Sequence, residues 1–234
     1  MKRAKIFILF LGLFFNACIN KPESKIATDV KSKYGAQSCQ IIYNTFPGND
    51  SANQIEIVIS NPDNNYLSYK EVVFTSSVSL FLFEALKPEE IKLYHYIKVT
   101  IANNSESFTK QYSMKELMIA KKAYLTVNEF FEYQNIKADS FLSEIIDTTT
   151  ISAMNLKTIT KSMSQIDSIY GKQNDKRYLG FAIGSNKSKS DSVLVIWVDV
   201  KNGKAITHYV FYISCKTKKV IYLGINDKEN EATK

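Results

Sequence analysis

Residue types that most enzyme sites require are scarce in this chain of 234 residues. It has only two histidines, too few for a three-histidine metal site, and no carboxylates stand near them at ligand spacing. Its eight glycines form no phosphate-cradling loop. The serine-nucleophile elbow, the HExxH zinc motif and the CxxC motif are all absent. We therefore expect neither a metal nor a cofactor, and no standard class of enzyme is indicated.

A short apolar run opens the chain. Basic residues at positions 2, 3 and 5 precede ten apolar residues, Ile6 to Phe15, and then Asn16-Ala17-Cys18. A basic start, a short apolar segment and a small residue before the cleavage point are typical of a secretory signal. A membrane-spanning helix needs about twenty apolar residues, so this run is too short for a permanent transmembrane anchor.

The same residues resemble a bacterial lipoprotein signal, in which the cysteine is lipidated and becomes the first mature residue. The resemblance implies that residues 1–17 are removed and that Cys18 carries the lipid. The protein is then exported and held by the membrane of the cell envelope, by default on the periplasmic face of the outer membrane. Ordinary cleavage after Ala17, which leaves no lipid, is the alternative. Residues 18–37 predict a polar tether, in which residues 26–33 could form a turn or two of helix.

Composition sets the class of the remaining chain. An apolar content of 45% with 12% aromatics is ample for a packed core, so a mainly disordered chain is excluded. Three of the 30 basic residues lie in the signal, and without them the net charge against 23 acidic residues is +4. Those charges are scattered, whereas a nucleic-acid-binding surface is a clustered basic face. We therefore expect no nucleic-acid partner.

Two cysteines remain after the signal, Cys39 and Cys215. An even count in an oxidising compartment permits one disulfide bond. Closing so long a loop would contribute about 5 kcal/mol in the chain-entropy model. Two separate buried thiols are the alternative, because free cysteine is among the most buried residue types. The sequence leaves both open.

The first half of the chain predicts a small ββαββ unit over residues 38–112. Two β-rich runs at residues 39–46 and 54–60 flank a Pro-Gly-Asn-Asp loop and predict a hairpin. The length of the run at residues 66–86, and its stop at Lys87-Pro88, favour a helix. Strict alternation from residue 91 to 101 predicts a half-buried strand with His95 on its apolar face, followed by a strand near 106–112.

The second half predicts helices followed by strands. Ser113 and Glu116 form an S-x-x-E capping box that opens a long helix. A shorter helix is expected at residues 140–146, and a third at 156–170 ends before Gly171. A period of two then predicts four strands, at residues 178–183, 193–200, 205–215 and 219–225.

This order of elements over residues 113–227 resembles the NTF2-like (cystatin-like) superfamily, in which helices precede a strongly curved sheet. The end of the third helix, Ile166-Asp167-Ser168-Ile169-Tyr170-Gly171, followed by meander strands, resembles such domains in bacterial lipoproteins. The fold class expected for the whole chain is therefore α+β: the ββαββ unit, the NTF2-like unit and a charged tail at residues 228–234. The resemblance implies a concave face able to hold a small ligand or a partner.

One constellation of polar residues follows from the Asn202-Gly203 dipeptide, a strong hairpin signal. A two-residue loop there pairs Lys201 with Lys204, which places Trp197 opposite His208 and Asp199 diagonal to His208. A carboxylate beside an imidazole could orient it as a general base. Asp199 and His208 are therefore the catalytic candidates.

The competing interpretation is that this pair lies on the solvent side of the sheet and only packs there. The opposite face of the same strands is the more apolar one. Trp197 and Tyr212 are then candidates for binding, since aromatic residues suit interfaces. We expect a non-catalytic binding protein of the envelope, with a small ligand or an envelope protein as its partner. An enzyme using Asp199 and His208, or a purely structural component, are the alternatives.

Overall fold

The protein is described here from a computed structural model, which covers residues 24–63, 71–104, 106–136, 142, 144–151, 153–171, 173–185, 191–203 and 205–226. Within these residues the fold is α+β, with five helices and two four-stranded sheets. The helices are α1 (Lys25–Tyr34), α2 (Glu71–Ala85), α3 (Pro88–Leu93), α4 (Met114–Ile136) and α5 (Ala153–Tyr170). The strands are β1 (Ser38–Asn44), β2 (Gln54–Ser60), β3 (Tyr96–Asn103), β4 (Glu106–Ser113), β5 (Gln173–Ser185), β6 (Ser192–Asn202), β7 (Ala205–Ser214) and β8 (Val220–Asn226).

The first sheet has the order β1-β2-β3-β4. Its two outer pairs are antiparallel, and the central pair, β2 with β3, is parallel because α2 and α3 connect these strands. Alternate residues of the central strands face the core, as the period of two predicts. The fully buried ones on β2 are Ile55, Ile57 and Ile59.

One strand prediction is wrong at its start. Residues 91–95 do not extend β3: residues 88–93 form α3, and His95 is exposed rather than a core histidine. Pro88 stands at the first turn of α3, where its missing N–H is not needed. The Lys87 backbone N–H donates to Glu90 Oε2 at 2.8 Å, which caps the helix. These start signals outweigh the alternation of apolar residues.

Helix α2 lies between the two sheets and is buried on most of its circumference. It packs against β3 and β4 on one side and against β5 on the other. The serines of α2 make this approach close, because they are small and bond to nearby backbone. The buried Ser76 hydroxyl donates to the Val73 carbonyl at 2.8 Å and accepts the Phe181 N–H at 2.7 Å. At the contact point β5 has Gly180, next to an irregularity in its pairing with β6.

The second sheet is an antiparallel meander in the order β5-β6-β7-β8. One face packs on α4, where the rings of Phe130 and Phe131 meet Phe211 at 5.2 and 5.6 Å. The capping box that opens α4 is confirmed. The Ser113 N–H donates to Glu116 Oε2 at 2.7 Å, and the Glu116 N–H donates to Ser113 Oγ at 3.2 Å.

Buried residues from both halves of the chain form one hydrophobic core. Tyr112 of the first sheet and Phe181 of the second meet edge to face at 5.6 Å. Helix α1 lies in the stretch expected to be a tether, at the turn or two of helix expected there, and its Val30 and Tyr34 are buried in this core. Helix α1 is therefore part of the packed core, and Ser24 caps it by accepting from the Ala27 N–H.

Several sequence predictions lie outside the described residues. These are the signal, the lipidation site at Cys18, the charged tail at 228–234 and part of the short helix at 140–146. In the described part of the chain, no helix is both long enough and apolar enough to cross a membrane.

Candidate functional site

The register of the β6–β7 hairpin differs from the sequence prediction by two residues. Asn202 pairs with Ala205, so Lys201 does not pair with Lys204, and Trp197 lies opposite Val210 instead of His208. Asp199 and His208 become direct cross-strand partners rather than diagonal ones. The two residues stay on one face because a slip of two residues preserves the alternation of a strand, whereas a slip of one would reverse it.

Three side chains on adjacent strands form a row across the second sheet, which we call the Arg177–Asp199–His208 row. Arg177 on β5 pairs with Asp199 on β6, which pairs with His208 on β7. His208 Nδ1 lies 2.6 Å from Asp199 Oδ1, and Arg177 Nη2 donates to Asp199 Oδ2 at 2.9 Å. The Asp199 side chain is only 6% exposed, against 35% for His208 and 47% for Arg177.

This arrangement fixes the orientation of both outer side chains. A buried carboxylate needs hydrogen-bond donors for its oxygens, and Asp199 has one on each side. The Nδ1 atom of His208 is engaged by Asp199, so Nε2 is the ring nitrogen available to another molecule. The guanidinium of Arg177 donates to Asp199 Oδ2 through Nη2, and this bond orients the planar group. The row therefore presents two oriented nitrogen-bearing groups at the sheet surface.

Arg177 is a site residue that the sequence pattern does not indicate. It lies before the predicted start of β5, at residue 178, whereas β5 begins at Gln173. Its pairing with Asp199 also depends on the irregularity between Tyr178 and Gly180, which shifts the register by one residue. The run of charges at residues 175–177 could have indicated a partner for Asp199 on a neighbouring strand. Charge alone, however, does not give the register between two strands.

The row lies on the face of the sheet opposite α4, which we call the outer face. On β6 the buried residues Leu194, Ile196 and Val198 point to the core, and the residues between them point outward. The outer face is therefore the more polar of the two, as the competing interpretation of the sequence expected. It still includes the following apolar and aromatic side chains, all at least partly exposed: Val195, Trp197, Ile206, Val210, Tyr212 and Tyr222.

The two predicted binding residues have different positions on the outer face. Trp197 is half-buried and lies two residues from Asp199 on the same strand. Tyr212 lies nearer the other end of β7, is 36% exposed and meets Tyr222 edge to face at 5.2 Å. Both residues thus share one surface with the row.

A small pocket lies beside Arg177, between α1, α2 and β5, but it does not include Asp199 or His208. It is lined by Lys33, Tyr34, Phe74, Ser77, Arg177, Tyr178 and Leu179. Desolvation lowers the pKa of Lys33, whose ammonium lies 4.3 Å from the centre of the Phe81 ring. The Asp199–His208 pair therefore lies outside this pocket, on the outer face of the sheet.

Two tyrosines behind the row are structural. Tyr178 stacks on Tyr124 with ring centres 4.4 Å apart, and its hydroxyl donates to Asn128 Oδ1 at 2.6 Å. Burial is the main cause that raises the pKa of both tyrosines above the ordinary value. Both hydroxyls therefore remain protonated at neutral pH and do not act as bases.

The two cysteines belong to different parts of the fold. Cys39 is buried on β1, and Cys215 is partly buried in the turn after β7. No disulfide bond joins them in the structure. Burial raises the pKa of the Cys215 thiol, which disfavours the reactive thiolate. Among the residues that the structure describes, no group of three or more His, Cys, Asp or Glu side chains could hold a metal ion.

The site consists of an oriented Asp–His pair, an adjacent arginine and surrounding aromatic side chains. In the described residues, the pocket beside Arg177 does not enclose the Asp–His pair. Comparisons with known proteins add no further information. No protein-family model, no curated protein and no solved structure matches the chain.

Proposed function

We propose that this chain is a lipid-anchored, non-catalytic binding protein of the bacterial cell envelope, and that the outer face of the second sheet is its recognition surface. The observation that carries the proposal is the Arg177–Asp199–His208 row on an open face among aromatic residues. Arginine, tyrosine and tryptophan are the residue types enriched among energetically dominant contacts of interfaces.

The row supports recognition because its donors are held before a partner arrives. Asp199 accepts from Arg177 and is bonded to His208, so these side chains lose less freedom on binding than unconstrained ones. Trp197 supplies an apolar contact beside them. A partner that fits has an acceptor group, such as a carboxylate or a backbone carbonyl, next to an aliphatic or aromatic group. An envelope protein or a small ligand with this pair of groups satisfies the description.

The place of the protein follows from its first residues. The signal implies a lipid on Cys18, and Ser24 caps the packed helix α1. Six residues lie between the lipidated cysteine and α1, and so short a segment spans at most about 21 Å. The folded part is then held close to the membrane surface. Several acyl chains on one cysteine anchor a protein stably, since each buried CH₂ adds about 0.8 kcal/mol.

The NTF2-like arrangement of residues 113–227 belongs to the same proposal. Its support is the order of elements: the helices α4 and α5 precede an antiparallel meander of four strands. One difference from a self-contained unit is that α2, from the first half of the chain, covers β5. The Arg177–Asp199–His208 row lies on the face of this meander away from α4.

The anchor is tested by metabolic labelling with a fatty-acid analogue and by intact mass of the wild type and the Cys18→Ser variant. We expect label and a lipid mass increment on the wild type, with an N-terminus at residue 18, and neither on the variant. A wild type that starts at residue 18 or later without lipid would contradict the anchor and leave a soluble exported protein.

Recognition is tested by chemical cross-linking in intact cells followed by quantitative recovery of the partner. Arg177→Ala and Trp197→Ala are expected to reduce recovery by about tenfold each, which corresponds to about 1.4 kcal/mol. Tyr43→Ala is the matched control, since Tyr43 is an aromatic residue 42% exposed on the first sheet. Equal recovery from all four proteins would contradict the outer face as the surface.

A second function, an enzyme in which His208 is the general base, is favoured by one observation, the 2.6 Å contact of His208 Nδ1 with Asp199. The cross-linking experiment with a His208→Ala variant distinguishes the binding function from the enzymatic one. For a binding protein, His208→Ala weakens partner recovery together with Arg177→Ala. For an enzyme, His208→Ala leaves recovery intact and traps an unprocessed partner.

A further inference from the structure

In the part of the chain that the structure describes, the outer edge of β8 is open over most of its length. β8 pairs with β7 on one side, and on the other side the only described strand-like contact is a single bridge from Ile146 to Val220. At Ile221 the pairing with β7 is irregular, since Tyr212 pairs with Tyr222 and Ile213 with Val220. From Tyr222 to Asn226 the pairing with β7 is regular. Within the described residues, these five residues present their outward backbone N–H and C=O groups to no neighbouring strand.

Between Tyr222 and Asn226, this edge lacks the features that keep edge strands apart. Natural edges are protected by charges, proline, bulges or a covering element. The other three edges have such features: β4 includes Glu106 and Lys110, β5 includes three consecutive charges at residues 175–177, and β1 lies against α1. The free part of β8, Tyr-Leu-Gly-Ile-Asn, has neither charge nor proline.

Apolar side chains on both sides of β8 are also incompletely covered. Tyr222 on the outer face is 57% exposed. Leu223 and Ile225 point to the core side and pack against the core, yet they remain partly exposed, and no other strand of the described residues covers them. A strand added at this edge would therefore satisfy backbone hydrogen bonds and bury apolar surface at the same time.

We propose that β8 pairs antiparallel with β8 of a second copy of this chain, which joins two four-stranded sheets into one continuous sheet of eight strands. A two-fold axis through the centre of the free segment places Gly224 opposite Gly224 of the second copy. Leu223 then lies opposite Ile225 of the second copy, and Tyr222 opposite its Asn226. Every pair across this interface is free of like charges, and a two-fold contact is closed, which limits assembly to a dimer.

A second copy is favoured over an unrelated strand because the segment is complementary to itself in this register. The two apolar residues flank the central glycine symmetrically, so each meets an apolar residue of the other copy. The outer faces of both copies would then lie side by side, with two Arg177–Asp199–His208 rows on one extended surface. The dimer does not depend on the binding function proposed above.

The test uses charges at residue 224 and the sedimentation of the purified mature chain over a range of concentrations. A side chain at Gly224 is tolerated, since a Cβ there makes only ordinary contacts, the nearest at 3.6 Å to the Tyr222 ring. We expect a wild-type dimer. Gly224→Lys and Gly224→Asp each place like charges directly opposite each other and are expected to weaken dimerisation about fivefold. An equal mixture of the two variants should recover dimerisation, since it pairs Lys with Asp.

Three outcomes would overturn the proposal. One is a wild type that sediments as a single chain up to about 1 mM, the weakest range of specific association. Another is a dimer that neither charge affects. The third is a dimer weakened by both charges and not recovered in the mixture. Cysteine variants test the same contact without adding charge, in case the charged variants misfold. Gly224→Cys should form a covalent dimer on mild oxidation. Gly184→Cys, at a position of β5 where a Cβ meets nothing within 4 Å, should behave like the wild type.

Discussion

Replacing Gly180 by alanine is expected to lower the free energy of unfolding by about 4 kcal/mol. The added Cβ would overlap the Val73 carbonyl oxygen and lie 2.6 Å from Ser76 Oγ. The carbonyl belongs to the backbone of α2 and cannot rotate away, so either α2 or β5 must shift. That shift would also break the hydrogen bond from the Phe181 N–H to Ser76 Oγ.

Urea unfolding followed by circular dichroism measures this effect. Gly184→Ala is the matched control, because it lies on the same strand and a Cβ there meets nothing within 4 Å. Its effect is expected to stay within about 0.5 kcal/mol. Similar free energies of unfolding for the two variants would mean that α2 does not approach β5 as described. That result would contradict a hydrophobic core shared by the two halves of the chain.

Replacing Phe211 by alanine is expected to cost about 4 kcal/mol. The ring is fully buried and lies in a cluster with Phe130 and Phe131 of α4 and with Tyr209, all at ring-centre distances between 5.2 and 6.2 Å. Removing it leaves a cavity between α4 and the second sheet, and rigid rings around it cannot close the space.

The neighbouring residue provides the control for this prediction. Tyr212 follows Phe211 on β7 but points to the outer face, where it is 36% exposed. Tyr212→Ala removes a ring of similar size and is expected to cost about 1 kcal/mol, mainly the edge contact with Tyr222. Equal losses for the two variants, measured by thermal unfolding, would contradict the assignment of core and outer faces.

The hairpin of β6 and β7 shows how far sequence reasoning reaches into the site. Alternation placed Asp199 and His208 on one face, and the structure brings them into direct contact. The exact partner was wrong because the turn prediction was placed one residue too early: Asn202 remains in β6 and pairs with Ala205. Asn202 is fully buried and donates to the Gly171 carbonyl at 3.2 Å, a contact with a distant part of the chain that holds it in the strand.

Local signals were decisive where a helix has a clear start. The Ser113–Glu116 box was read correctly from four residues, because both of its hydrogen bonds are local. The same kind of signal at Lys87-Pro88-Glu89-Glu90 opens α3, although the sequence pattern predicts only the end of a helix there. Apolar alternation at residues 91–95 predicts a strand with His95 on its apolar face, whereas the structure has α3 at residues 88–93 and an exposed His95.

The sequence by itself determined the α+β class, most helix and strand positions and the sharing of one face by Asp199 and His208, because capping, turn and alternation signals act over a few residues. The export signal and the lipid on Cys18 are also sequence predictions, and they await the labelling experiment. Only the tertiary structure decided that α2 is shared by both sheets, that Arg177 completes the row and that no described strand pairs with the outer edge of β8 beyond Val220. These features depend on pairings between residues far apart in the chain, where packing and strand register, rather than local preference, select the partner.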